Sequence, residues 1–224
     1  MKCEPPQRLL DGYRQFRRER FPVEAARFRE LAHGQAPKTM VIACADSRVD
    51  PSTIFAAAPG ELFVVRNVAN LVPPIEENGS YHGTSAALEF AVTQLKIDDI
   101  VVLGHGMCGG IAAALAAVEN RSMGRFLKPW VELLSPAREE VRKDSTLSSP
   151  ASRQRALEHL AIRHSLKNLQ SFPFISGAIE NGTLALHGAW FSIAEGELHW
   201  LNQASKLFYP IVSDSEGSAV IPLG

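Results

Sequence analysis

With 224 residues, 46% of them apolar, and 23 Lys plus Arg against 24 Asp plus Glu, the chain suits one folded domain with a sizeable core. Such balanced charge offers no field to draw nucleic acid or an anionic membrane surface. The longest nearly unbroken apolar stretch, residues 111–118, falls far short of the ~20 residues that cross a bilayer, so no membrane span is expected.

The start, Met1-Lys2-Cys3-Glu4 and two prolines, has no apolar run before a small-residue cleavage site, which predicts a cytoplasmic location. Residues 9–31 place Leu9, Tyr13, Phe16, Val23, Ala26 and Leu31 at helical spacing among many charges. Pro22 can start a helix but breaks one that runs into it, so two amphipathic helices are predicted. This arm, residues 1–34, is too narrow to form a core and must pack on something else.

Apolar runs rich in β-branched residues follow at 39–43, 62–65 and 100–103, each read as a buried strand. Residues 80–96 read as a helix with Ala87, Leu88, Ala91, Val92 and Leu95 on one face. Strands alternating with helices imply an α/β core over residues 35–120, a mainly parallel sheet flanked by helices. Residues 111–118 are alanine-rich and apolar nearly all round, which predicts a buried helix. An extension over 121–224 follows. Its first part, to Pro150, is charged and broken by Pro129 and Pro136, predicting surface helices and loops, and 152–170 is amphipathic through Leu157, Leu160, Ala161 and Leu169. Residues 182–201 alternate apolar and polar around the turn signals Asn181-Gly182 and Glu195-Gly196, predicting a closing strand and a hairpin.

Two segments carry chemistry, Cys44-Ala45-Asp46-Ser47-Arg48 and His105-Gly106-Met107-Cys108-Gly109, and each follows a predicted parallel strand. Open α/β sheets bind ligands outside the carboxyl ends of their strands, so neighbouring strands can deliver both segments to one crevice. Two thiolates and an imidazole suit zinc, and three protein ligands leave a fourth position for water. Asp46 can accept a hydrogen bond from that water or occupy the fourth position itself, while Arg48 can grip the carboxylate in a fork. Taken singly, each piece has a plainer reading: a Cys or His at a strand end usually packs, and Asp46 with Arg48 could be a surface ion pair worth ~0–1 kcal/mol. Gly104, Gly106 and Gly109 also match a dinucleotide-binding G-x-G-x-x-G. That reading needs an acidic residue about 20 positions on, at a strand end, where this chain has Arg125 to Lys128 and no predicted strand.

The pattern C-x-D-x-R followed far downstream by H-x-x-C resembles the β-class carbonic anhydrases, plant-like members above all. The resemblance extends through Gln35-Ala36-Pro37-Lys38, residues 59–70 (PGELFVVRNVAN) and residues 81–85 (YHGTS), and is close over about residues 35–120. It implies reversible hydration of carbon dioxide to bicarbonate and a proton by zinc-bound hydroxide, with one Zn2+ per subunit on Cys44, His105 and Cys108. Asp46 and Arg48 would orient the hydroxide. Phe63 and Val68 would line the carbon dioxide pocket, with Gly109 at its edge, and Gln35 would reach the substrate across a dimer interface. A tyrosine frequent in plant-like members stands here as Phe90. The resemblance further implies a four-stranded, mainly parallel sheet and a homo-oligomer, dimer or tetramer, embraced by the N-terminal helices.

Some bacterial relatives hold a regulatory bicarbonate with a Trp, an Arg and a Tyr. The matching positions here are Val41, Arg66 and Phe191, so only the arginine remains, and Asp46 is expected to pair with Arg48 at rest. A relative acting on carbonyl sulfide or carbon disulfide, and a catalytically silent zinc protein, are the alternatives; the intact Asp46-Arg48 pair speaks against silence.

Overall fold

The computed structural model describes residues 4–76, 82–117, 123–213 and 219–220. Sequence readings that rest on Cys3, Ser80, Tyr81 and Val118 lie outside these residues.

The arm opens with α1 (Gln7–Gln15) and α2 (Phe21–Leu31), joined without a break by a π-helical turn over Phe16–Arg20. Pro22 therefore does not break the arm: it sits in the first turn of α2, and the wider π-helical turn before it takes up the ring. Phe16, Phe21 and Phe28 form an aromatic cluster, with ring centroids 5.6 to 6.0 Å apart. No described residue of the arm is buried, although Arg27 anchors α2 by donating to the Pro59 carbonyl at 2.6 Å.

Next come β1 (Thr39–Cys44), the short α3 (Pro51–Ile54), β2 (Leu62–Asn67), α4 (Gly83–Glu89) and β3 (Asp99–His105). These strands run one or two residues beyond the apolar runs, because the ladder continues through Cys44, Asn67 and His105 at their carboxyl ends. A π-helical turn, Phe90–Leu95, extends α4 and ends on Lys96 in the left-handed conformation. Then follow α5 (Gly109–Ala116), α6 (Leu127–Val131), α7 (Ser135–Lys143), α8 (Pro150–Leu169) and α9 (Pro173–Glu180), before β4 (Ala185–Ser192), β5 (Glu197–Leu201) and β6 (Phe208–Pro210). A small pair, β7 (Val212–Ser213) and β8 (Ala219–Val220), stands apart.

The main sheet has six strands in the order β2-β1-β3-β4-β5-β6, parallel from β2 through β4 and antiparallel thereafter. The four-stranded expectation thus captured the parallel part, and the C-terminal hairpin adds its strands to the same sheet. From β1 the chain steps to β2 on one side, then crosses to β3 on the other and continues to β4. The direction therefore reverses between β1 and β3, and the carboxyl ends of those two strands border the crevice.

Met40, Ile42, Ile100 and Val102 face one way, onto Leu88 and Ala91 of the α4 extension and Ile162 and Leu169 of α8. Val41, Ala43, Val101 and Leu103 face the other way and are equally buried. Full burial of each of these side chains larger than Ala43 contributes about 1.5–3 kcal/mol. Glycines let α8 approach the sheet closely: a methyl group at Gly104 or Gly188 would lie 2.7 or 2.9 Å from the Ile162 side chain. Two expectations need correction. In α5 only Ile111 and Ala114 are buried, so one face of that helix is open. The segment leading to Pro150 is no mere surface layer, since Val131, Leu134, Ala137 and Val141 are core residues packed with α5 and α8.

On α8, His159 packs between Trp190 and Phe208, at ring-centroid distances of 5.2 and 4.3 Å. Burial, reinforced by the charges of Arg155, His199 and Arg163, pulls its pKa from 6.5 down to about 4. An unfolded chain takes up that proton at the ordinary value while the folded chain refuses it. The associated stability is therefore whole above the unfolded value and lost as pH falls toward the folded one, ~2 kcal/mol being gone by about pH 5. His159→Gln should flatten this acid limb in urea unfolding measured at neutral and acid pH; an unchanged slope would show that His159 is not its source.

Candidate metal centre

Cys44 ends β1 and His105 ends β3, two adjacent strands, so the sheet itself brings them together. Cys108 joins them through a sharp turn in which Met107 adopts the left-handed conformation (φ 55°), rare for a side-chain-bearing residue and a mark of a constrained site. The Cys44 and Cys108 sulfurs lie 3.8 Å apart, and the ligand atoms of Cys44, His105 and Cys108 all fall within 4.8 Å of one another, buried.

Each donor is prepared by its surroundings. Nδ1 of His105 lies 2.9 Å from the Gly106 carbonyl, which can only accept, so the proton belongs on Nδ1. Nε2 is left bare, buried and without a partner. A hydrogen bond from Cys108, working against burial, draws the Cys44 thiol well below its ordinary pKa, with the N–H groups of Asp46 and Ala69 adding to it. Cys108 is pushed up, because the negative Cys44 sulfur beside it and burial both oppose a second charge. A cation between the two sulfurs would let both carry charge. A soft donor set of this kind, with an orphaned imidazole nitrogen, fits zinc.

Asp46 is held in a fork: Arg48 donates from Nε to Oδ1 at 3.0 Å and from Nη2 to Oδ2 at 2.8 Å, and its backbone N–H adds a third bond at 3.0 Å. This guanidinium holds the carboxyl well below the usual carboxylate range. Arg48 Nη2 also donates to the Met107 carbonyl at 3.1 Å, tying the two loops together. Asp46 Oδ2 lies 3.9 Å from His105 Nε2, beside the donor cluster and outside hydrogen-bonding distance.

Comparison with known proteins agrees with this geometry. Residues 39–198 match the profile of the family described as carbonic anhydrase. Beta carbonic anhydrase 3 of Arabidopsis thaliana is 34% identical over 197 residues, 87% of this chain and 76% of that protein. The chain belongs to the β-carbonic anhydrase family. The solved β-carbonic anhydrase CcaA superposes with a TM-score of 0.85 at 33% identity, covering 90% of this chain and 97% of that one. Tetrameric β-carbonic anhydrases of the filamentous ascomycete Sordaria macrospora superpose with a TM-score of 0.68 at 32% identity, over 88% of this chain and 93% of theirs.

Within this carbonic anhydrase, Gly109 directly follows Cys108, and Val68 directly follows Asn67, the β2 partner of Cys44. Val68 opens the turn after β2, 39% exposed, and its Cγ1 would lie 2.7 Å from a methyl group on Gly110. Gln35 and Phe63 do not reach the donors of their own chain. Gln35 is exposed in the link before β1, at the amino end of the strand that Cys44 closes. Phe63 pairs with Met40, four residues before the Cys44–Asn67 pair, ~13 Å away along the strand. Instead it stacks near Phe90, with centroids 6.0 Å apart.

Arg66 commits four of its five N–H groups to the loop after β1. It donates to the carbonyls of Cys44, Asp46 and Val49 and to the Asp50 carboxylate, stapling the Asp46–Asp50 segment down. One site neighbour escaped the sequence reading: Glu158 of α8, buried, with its carboxylate on the Cys108 backbone N–H at 3.1 Å. The available signal was a lone acidic residue on the stripe of Ile162, Ser165 and Leu169, the buried face of an amphipathic helix.

Proposed function

We propose that this family member catalyses the reversible hydration of carbon dioxide to bicarbonate and a proton, with Cys44, His105 and Cys108 holding one zinc ion. The observation that carries the reading is the orphaned His105 Nε2 converging with two sulfurs beside an ionised, Arg48-clamped Asp46. Zinc held there would leave one position open and supply the Lewis acidity that ionises water near neutral pH, less strongly than on three histidines because two thiolates donate more charge.

The protein's own groups orient the reaction. Asp46, kept ionised by Arg48, can only accept a hydrogen bond, so its carboxylate would hold and orient the O–H of a water brought to the donor cluster. Val68 offers an apolar wall to carbon dioxide, which has no net charge to satisfy. Bicarbonate, an anion, gains little from that wall and leaves. The reduced thiols of the donor set suit the cytoplasm.

Stopped-flow carbon dioxide hydration with metal analysis tests the assignment: zinc and hydration activity should be present together, and activity that survives complete zinc removal would sink it.

A homo-oligomer is part of this reading. Tyr13 is 61% and Val23 84% exposed on an arm none of whose described residues is buried, and tetrameric relatives exist. Gln35, Phe63 and Phe90 likewise stand away from their own donors and would serve a neighbouring subunit. Deleting residues 1–30 should give insoluble or inactive protein, read by size-exclusion chromatography and hydration assay. A soluble, fully active monomer would contradict this.

A further inference from the structure

Glu158 lies on the buried face of α8, 3% exposed, between Leu157 and Ala161. An acidic side chain there must be matched by hydrogen bonds to offset its desolvation. Three N–H groups converge on it. The Cys108 backbone N–H and Gln154 Nε2 reach Oε1, each at 3.1 Å, and Trp190 Nε1 from β4 reaches Oε2 at 3.1 Å. All three are donors, so both oxygens serve as acceptors, which a carboxylate offers and a carboxamide of the same shape does not.

These bonds grip the peptide of one proposed zinc ligand. Gln154 Nε2 also reaches the Cys108 carbonyl at 3.4 Å, so α8 holds Cys108 by both its N–H and its C=O. From the other side Arg48 holds the Met107 carbonyl. Packing alone does not fix the loop: a cavity of about 430 Å³ opens behind it, lined by Gly106, Met107, Gln154, Glu158 and Trp190 among others. Left without Glu158, the left-handed turn at Met107 has room to relax into that space.

We propose that Glu158 is a positioning residue of the metal centre, braced by Trp190, which sets the direction of the Cys108 thiolate by holding its peptide. The proposal rests on the assignment of Cys108 as a zinc ligand. It concerns the shape of the donor set, so its effect is read first in the metal and only then in turnover.

The test compares the zinc-loaded wild type with Glu158→Gln and Gln154→Ala. Zinc Kd is measured by chelator competition, the thiolate-to-metal absorption by cobalt(II) substitution, and folding by circular dichroism. Glu158→Gln turns one acceptor into a donor facing an N–H; its zinc Kd should rise about 10- to 100-fold, with displaced cobalt bands and a native dichroism spectrum. Gln154→Ala, at a half-buried position, should fold normally and show a smaller rise of the same sign. Unchanged Kd and cobalt bands in Glu158→Gln would overturn the proposal. So would an unfolded Glu158→Gln together with an unaltered Gln154→Ala, since Glu158 would then be only a packing element. A wild type that fails to bind zinc would remove the ligand assignment itself, a separate and recognisable result.

Discussion

Cys108→Ser is expected to lose zinc and hydration activity together, by more than the roughly 100-fold that marks the loss of an outer-shell partner. Serine is nearly the same shape, and the N–H groups of Gly110 and Ile111 that meet the Cys108 sulfur would still find an acceptor. The chemistry is what changes. A neutral hydroxyl is a hard, weak donor, whereas two sulfurs 3.8 Å apart can both carry charge beside a soft cation. The fold should survive, because the site is small and the surrounding cluster of Val49, Leu71, Ile111 and Leu157 is untouched. Metal content per subunit and stopped-flow hydration on the same preparation decide the matter. A folded, metal-loaded and active Cys108→Ser protein would refute the ligand assignment.

Asp46→Asn separates the metal from the chemistry. Its zinc content should stay near that of the wild type, since Asp46 Oδ2 stands 3.9 Å from His105 Nε2 and outside the donor set. Its kcat/KM should fall about 10²- to 10⁴-fold, the range typical of removing a group that handles a proton in the transition state. The amide can turn an N–H toward the donor cluster in place of an acceptor, and it no longer balances the charge of Arg48, which then keeps one amide oxygen and the Met107 carbonyl. Near-normal turnover in Asp46→Asn would show that the carboxylate orients nothing essential.

Much of this site was legible because its residues are rare types at strand ends. Cys44, Asp46 and Arg48 form one local motif, and His105 with Cys108 another; periodicity alone placed both after parallel strands. Glu158 was not legible in that way. An acid within an amphipathic helix reads as part of the solvated face unless its register is checked against Ile162, Ser165 and Leu169, and its partners Cys108 and Trp190 are remote in sequence. The arm shows the converse. Its helices were evident from spacing, but whether Pro22 interrupted them depended on a π-turn that propensities do not encode.

By itself the sequence determined the α/β class, the parallel order of strands and helices, the donor set and the Asp46–Arg48 pair, since each follows from local periodicity or from side-chain chemistry. Tertiary structure decided what depends on distance. It placed β1 beside β3, so that two motifs far apart in sequence converge, and it kept Phe63 four residues short of the crevice. It also buried Val131, Leu134 and Val141 beneath a polar-looking segment, and set Glu158 against the Cys108 peptide. The physical reason is common to all of these: a strand register or a helix approach is fixed by the summed packing of many residues, as where Ile162 fits over Gly104 and Gly188, and no single stretch of chain carries that sum.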